Sequence, residues 1–133
     1  MIGKRKVLEL PFASTAIADN PVLRTEGGDL LLSMNFDDEG RIRAATLRFV
    51  KQRAFRKRSE IYCTAWHVTD VYDTVCEVSE SDWVQELRLA SSVASRDRWV
   101  MRHFMIYVDS FGCLEVVAEA AVLDDSARNS GGT

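Results

Sequence analysis

The segment "RWVMRHFMIYVDSFGCLEVVAEAAVL", residues 98–123, decides the fold, because two apolar runs flank the turn-forming sequence "DSFG". An aspartate that opens a type I turn and a glycine that closes it favour a β-hairpin. If Asp109 and Gly112 close a two-residue loop, Arg102 lies opposite Glu119. The sequence therefore predicts an antiparallel strand pair in this register.

This register divides the hairpin into two faces, because side chains alternate along a strand. One face is almost wholly apolar and is expected in the core, with His103 opposite Ala118 among residues such as Met105 and Val116. The other face mixes charged and apolar side chains. We expect its apolar part to face outward, under the helix or a second copy of the chain, and it comprises Phe104, Ile106 and Val117.

A second hairpin is predicted for "LLLSMNFDDEGRIRAATLRFV", residues 30–50. Gly40 in the left-handed conformation would close a three-residue loop with a bulge, which places Phe36 opposite Ile42. Short strands are expected at 7–10 and 22–25, and an extended segment at 72–78.

One principal α-helix is predicted for "SDWVQELRLASSVAS", residues 81–95, with Ser81 as its N-cap. Its apolar side chains recur at helical spacing: Trp83, Val84, Leu87 and Ala90. The fold class is therefore α+β, a largely antiparallel sheet built from hairpins with one helix. We expect a single domain over residues 1–123 and a disordered tail over 124–133.

Composition indicates one globular domain, since 133 residues with 47% hydrophobic and 28% charged side chains can enclose a core. No apolar run reaches membrane-spanning length, and we expect no membrane association. The apolar stretch near the start is interrupted by Glu9 and Pro11, so we expect a cytoplasmic protein rather than a secreted one. The odd cysteine count favours reduced thiols.

Charge is divided into two blocks. Residues 41–58 hold eight basic side chains and no acid, whereas residues 59–87 hold seven acids and no lysine or arginine. Such blocks are commonly solvated faces, but they also predict a dipolar surface. Either "KQRAFRKR" (51–58) faces an anionic partner or the acidic block faces a basic one. Nucleic acid is disfavoured, because interleaved aromatic residues are few and the net charge is −3.

The string "WHVTDVYD", residues 66–73, combines a histidine with carboxylates. These side chains share one face only in a helix, and the β-branched residues favour a strand. The alternative function is a small enzyme or ligand-binding protein. Its pocket would be lined by Trp66, His67, Tyr72 and Asp73. No catalytic residue, metal site or cofactor is predicted, because metal-ligand pairs, a G-x-S-x-G elbow and a phosphate loop are missing from the sequence.

Two stretches together, "SDWVQELR" and "WVMRHFMIYVDSFGCLEVVAEAAVL", resemble single-domain bacterial proteins, some of which are similar to immunity proteins of polymorphic toxin systems. The resemblance covers roughly the C-terminal half of the chain. It implies a small cytoplasmic binder that occludes a toxin, and it assigns no catalytic residue.

The residues themselves also favour a non-enzymatic interaction protein, since blocked charges suit electrostatically steered association. The predicted partner is another protein, such as a basic toxin, and a homodimer is the alternative assembly. The hypothesis places the partner on one acidic surface that mimics phosphate: Asp70, Asp73, Glu77, Glu80, Asp82 and Glu86.

Overall fold

The computed structural model describes residues 2–95 and 98–125, and these residues form nine strands and two α-helices. The helices are α1 (Ala65–Val68) and α2 (Asp82–Ala90). The strands are β1 (Gly3–Glu9), β2 (Val22–Glu26), β3 (Asp29–Asp38), β4 (Arg41–Val50), β5 (Ala54–Arg58), β6 (Thr74–Ser79), β7 (Arg102–Val108), β8 (Gly112–Ala118) and β9 (Ala120–Asp125).

The strands form two sheets in which every named pairing is antiparallel. One sheet has five strands in the order β1-β6-β7-β8-β5, and the other has four in the order β2-β3-β4-β9. The predicted α+β class, with hairpins as its main units, is therefore confirmed. None of the described helices has the length and apolar character to cross a membrane.

The main core lies between the two sheets. Alternate residues of the central strands turn toward each other across this space, as period-two side-chain geometry requires. Phe49 of one sheet and Phe104 of the other meet with ring centroids 6.1 Å apart. The largest fully buried members of this core are Leu30, Leu32, Met34, Phe36, Leu47, Phe49, Phe104, Ile106 and Leu114.

A bent two-stranded ribbon joins the sheets, because β4 continues into β5 while β8 continues into β9. Val50 pairs with Ala120 in one sheet, and Ala54 pairs with Val117 in the other. Three residues on one strand therefore face two on its partner, which is the excess of a β-bulge. Main-chain bonds continue through the bend, and Arg53 N–H donates to the Val117 carbonyl at 2.7 Å.

The predicted register of the C-terminal hairpin is wrong by one residue. Val108 pairs with Gly112, so the loop has three residues, and Ser110 within it adopts a left-handed φ of 61°. Arg102 consequently lies opposite Ala118 rather than Glu119. The loop length was the missing information, because loop length fixes hairpin register.

The shift also reverses the predicted inner and outer faces of the first strand, β7, whereas Leu114, Val116 and Ala118 of β8 lie in the main core as predicted. Phe104 and Ile106 are fully buried between the sheets, so neither a helix nor a second copy is needed to cover them. His103 lies opposite Val117 on the outer face of the five-stranded sheet. The second predicted strand ends at Ala118, and the residues beyond it belong to the other sheet.

The register of the first hairpin is also wrong by one residue, but here the loop is shorter than predicted. Its loop has two residues, Glu39 and Gly40, both with positive φ, as a type I′ turn requires. Phe36 therefore pairs with Arg43 and not with Ile42. The left-handed conformation predicted for Gly40 is confirmed, with φ 87°.

Several predicted limits also change. The helix predicted for 81–95 ends at Ala90, followed by a 3-10 turn at Val93–Ser95, because consecutive serines and a β-branched residue are poor helix formers. Most of α1 lies within the 66–73 segment, where a strand was favoured. Asp70 and Asp73 both have positive φ, so the backbone between α1 and β6 turns instead of continuing as helix or strand. Strand β9 extends through Asp125, beyond the predicted boundary at 123, and the rest of the predicted tail, 126–133, lies outside the described residues.

Gly112 begins β8 with φ 112°, and a Cβ at this position would overlap the carbonyl oxygen of Arg58 on β5. We expect Gly112→Ala to lower the free energy of unfolding by about 2 kcal/mol or more, because left-handed strain and overlap add together. The matched control is Gly28→Ala, where a Cβ meets open space. Urea unfolding should show that control within about 0.5 kcal/mol of wild type; equal losses in both variants would contradict the close approach.

Candidate functional site

Both helices cover the outer face of the five-stranded sheet, on the side away from the main core. Each contacts β7. A second apolar cluster fills the space beneath α1 and the segment that follows it: Val71, Cys76, Val78, Met105, Tyr107 and Cys113. The outer face is therefore a second buried layer that holds α1 in place.

Helix α1 is short and is fixed at both ends. At its start the Thr64 main-chain N–H donates to His67 Nδ1 at 2.9 Å, which is one half of a capping box. At its end the Lys4 ammonium donates to the carbonyls of Trp66 and Thr69. Four residues would not form a stable helix without such contacts.

The capping bond also determines the state of His67. Because Nδ1 accepts, the proton of the neutral ring resides on Nε2. Burial lowers the pKa of His67, and the positive charge of nearby Arg58 lowers it further. The side chain is thus a neutral N–H donor at pH 7.

Three buried side chains connect α2 to the sheet. His103 Nε2 lies 2.8 Å from Glu115 Oε1, and His103 Nδ1 lies 2.8 Å from Ser81 Oγ. Ser81 Oγ in turn accepts the Val84 main-chain N–H at 3.2 Å, which confirms the predicted N-cap.

This connectivity matches the hydroxyl, imidazole and carboxylate order of a hydrolase triad. Ser81, however, is only 7% exposed, and its oxygen is already occupied as the cap of α2. The bonds of Ser81, His103 and Glu115 therefore anchor the helix to β7 and β8.

The charge of Glu115 is compensated from β5. Arg56 donates to both carboxylate oxygens, from Nε at 3.0 Å and from Nη2 at 3.2 Å. Burial raises the pKa of Glu115, but the hydrogen bonds from His103 and Arg56 outweigh that effect and hold it at about 2. The Arg56 guanidinium also lies over the Trp83 ring, 4.0 Å from its centroid. Strand β5 is thereby attached to α2.

A hollow of about 280 Å³ lies between β5 and α1, and we call it the basic groove. Its walls carry three cationic side chains and one carboxylate, which is already bonded to Arg56. Arg58 and His67 Nε2–H remain as donors, and Nε2 has no hydrogen-bond partner within the part of the chain that the structure describes. The lining residues are Arg56, Lys57, Arg58, Trp66, His67 and Glu115.

An exposed 3-10 turn, Glu60–Tyr62, leads from β5 toward α1 beside this groove. Ile61 is 84% exposed and Tyr62 is 68% exposed. Arg58 donates to the Tyr62 carbonyl at 3.2 Å, which keeps the turn next to the groove. Exposed aromatic and aliphatic side chains beside arginine have the composition of a protein interface.

The six acids of the predicted partner surface do not form one surface. Glu77 bonds Arg102 at 2.8 Å and Arg5 at 2.6 Å, and these bonds lower its pKa. The Asp73 carboxylate accepts the Ser14 main-chain N–H at 3.0 Å. These two carboxylates therefore bind other segments of the same chain and stabilise the fold.

The other four acids are exposed. Asp70 follows α1, whereas Glu80, Asp82 and Glu86 gather around the start of α2. Whether a partner binds at this smaller acidic group stays a prediction.

The four residues of the predicted pocket are also divided between two places. Trp66 and His67 line the basic groove, as the pocket hypothesis requires. Tyr72 instead donates to Asp109 at 3.2 Å, and Asp73 bonds the segment that follows β1. The left-handed residues after α1 turn the chain away, so the four side chains do not surround one hollow.

The ion pairs described for the basic block, residues 41–58, use carboxylates outside the acidic block, residues 59–87. Arg56 pairs with Glu115, Arg48 with Asp29 at 2.8 Å, and Lys51 with Glu119 at 3.5 Å. These carboxylates all lie outside residues 59–87. The described ion pairs thus leave part of the charge separation at the surface, where the cations of β5 are exposed.

The three cysteines are free thiols. Burial raises the pKa of Cys76 and raises that of Cys113 to about 12, so both are protonated at neutral pH. Among the described residues, no three side chains of metal-ligating type lie together.

Comparison with known protein families, curated proteins and solved structures finds no match to this chain. Function is therefore argued from the site alone. The run "KQRAFRKR" did signal the cations of the groove, but nothing in the sequence placed His67 or the exposed turn beside them. The contact of Ser81, His103 and Glu115 had no local signal either, because the three residues come from separate elements.

Glu115 should make stability depend on acid pH. Its pKa is about 2 in the folded chain and near 4.3 in an unfolded one, so the unfolded chain takes up the proton first as pH falls. The stabilisation is complete above about pH 5.5 and is lost progressively as pH falls toward 2. We expect Glu115→Gln to lower the free energy of unfolding at pH 7 by about 2–3 kcal/mol and to flatten its decline in acid.

Urea unfolding between pH 2 and pH 7 measures both effects. Glu86→Gln, at an exposed position on α2, is the control and should stay within about 0.5 kcal/mol of wild type. A Glu115→Gln variant that kept the full acid-dependent decline would show that this carboxylate is not responsible for it.

Proposed function

We propose that this chain is a non-enzymatic interaction domain whose basic groove binds an acidic segment of another protein. The observation that carries the proposal is the position of the exposed Ile61 and Tyr62 directly beside the donors of the groove. Apolar side chains this exposed on a small domain favour burial by a partner.

The groove supplies the polar part of this recognition. Arg58 and His67 Nε2–H are donors from two different elements, and Trp66 adds an aromatic wall. A carboxylate accepts well from guanidinium groups, and arginine, tyrosine and tryptophan are the residues that most often dominate binding energy. Exposed cations on β5 would also steer an acidic partner toward the groove.

The histidine and serine atoms that could act in catalysis are already used in structural hydrogen bonds, which supports binding rather than catalysis. His67 Nδ1 caps α1, and Ser81 Oγ caps α2 while bonded to His103. A general base or nucleophile needs such an atom free to reach substrate. Here each atom serves a structural bond.

An immunity-type role fits this proposal, with the domain occluding a toxin in the cytoplasm. The groove would then contact acidic residues of the toxin. A basic toxin would instead contact the exposed acids at α2, Glu80, Asp82 and Glu86, and this is the competing surface.

Matched charge variants distinguish the two surfaces. Tagged wild-type protein captures partners from lysate of the source cells, and a stoichiometric partner is then purified for titration calorimetry at low and physiological salt. We expect Arg58→Ala combined with Tyr62→Ala to weaken that partner's binding by about tenfold or more. Asp82→Asn combined with Glu86→Gln should change it by less than about threefold.

The reverse pattern would move the interface to α2 and reject the groove. If neither double variant affects the affinity, the charged-surface proposal fails at both places. Unfolding curves of each variant check that any loss of binding is not a loss of fold.

A further inference from the structure

Arg53 carries buried donors without a partner. It lies at the bend between β4 and β5, where its main chain is held by Val117. Side-chain atoms Nε and Nη2 are both buried, and neither has a hydrogen-bond partner among residues 2–95 and 98–125. These two atoms donate in parallel from one edge of the guanidinium, the edge that forms two-point bonds with a carboxylate.

A hollow of about 370 Å³ lies beside this side chain, between the bend and the end of α2. Its volume is in the range of small-molecule sites. Apolar groups form much of the wall, and the Trp99 ring lies over the guanidinium, 4.9 Å from Arg53 Cζ. The lining residues are Gln52, Arg53, Leu87, Ala90, Ser91, Trp99 and Met101.

The nearest carboxylate balances the charge without satisfying the donors. Glu119 Oε1 is 3.8 Å from Arg53 Nη2, which is too long for a hydrogen bond. The other oxygen of Glu119 lies 3.5 Å from Lys51 Nζ. The Arg53 Nε and Nη2 donors therefore remain without an acceptor among the described residues.

We propose that this hollow binds a small carboxylic acid with an apolar body. The carboxylate accepts from Arg53 Nε and Nη2, and the body packs against Leu87 and Met101. Both nitrogen atoms are closed to solvent, so binding requires a neighbouring side chain to move, and we expect this to be the Trp99 indole, which lies over the guanidinium and is 45% exposed.

The position of α2 limits the affinity. Ala90 and Ser91 lie at the C-terminal end of the helix, whose partial negative charge disfavours an anion. Binding depends on the paired donors and the apolar wall together, so we expect dissociation constants from about 0.1 to 1 mM. This hollow shares no lining residue with the basic groove.

The test uses 3-phenylpropanoate and its neutral analogue 3-phenylpropanamide, titrated into the full chain. Two-dimensional NMR of arginine Nε–Hε groups reports the Arg53 contact directly. We expect the acid to bind about tenfold or more tightly than the amide and to shift the Arg53 signal. Arg53→Lys keeps the charge but removes the parallel donors, and should weaken the acid by a similar factor.

Two further variants keep the outcome decisive. Ala90→Trp places a large side chain in the hollow while Arg53 itself is unchanged, and it should also prevent binding, whereas Arg24→Lys on exposed β2 should leave binding unchanged. Equal affinity for acid and amide, unchanged binding by Arg53→Lys, or no binding of the acid at about 20 mM would each overturn the proposal. Arg58→Ala should not alter this binding, which separates the result from the groove.

Discussion

The buried carboxylate of Glu115 is the constraint on which the candidate binding face depends. A charge in this position is tolerated only when donors surround it, and here they come from different parts of the chain. Arg56 brings the edge strand β5 against α2, while His103 connects β7 to the N-cap of that helix. The same contacts leave Arg58 at the mouth of the groove. Electrostatic compensation inside the fold thus positions the cations that a partner would meet outside.

The sequence predicted the hairpins but not their registers. Turn-forming residues identified both bends, and Gly40 was correctly placed in the left-handed region. Loop length was the weak point, because an error of one residue in the pairing moves the side chains of one strand to the other face of the sheet. For the C-terminal hairpin this reversed the inside and outside positions of Phe104 and His103. Apolar residues on both faces of β7 meant that composition alone could not decide between the two registers.

The candidate site was less predictable than the fold. The basic run 51–58 was visible as a charge block, and Trp66 and His67 were noticed within their string. Their meeting depends on the pairing of β5 with β8 and on the contact of α1 with β7, which link positions far apart in the chain. Local patterns do not contain such contacts. The prediction that six acids form one surface was wrong for the same reason, since Glu77 and Asp73 bond residues in distant segments of the chain.

The five-stranded sheet ends in β1 on one side and in β5 on the other, and each of these strands carries three consecutive basic residues. An unpaired strand edge is a template on which further chains can add, and lysine or arginine placed there opposes such growth. Two copies approaching edge to edge would bring like charges together. The cations of β5 would therefore protect the protein from aggregation through this edge.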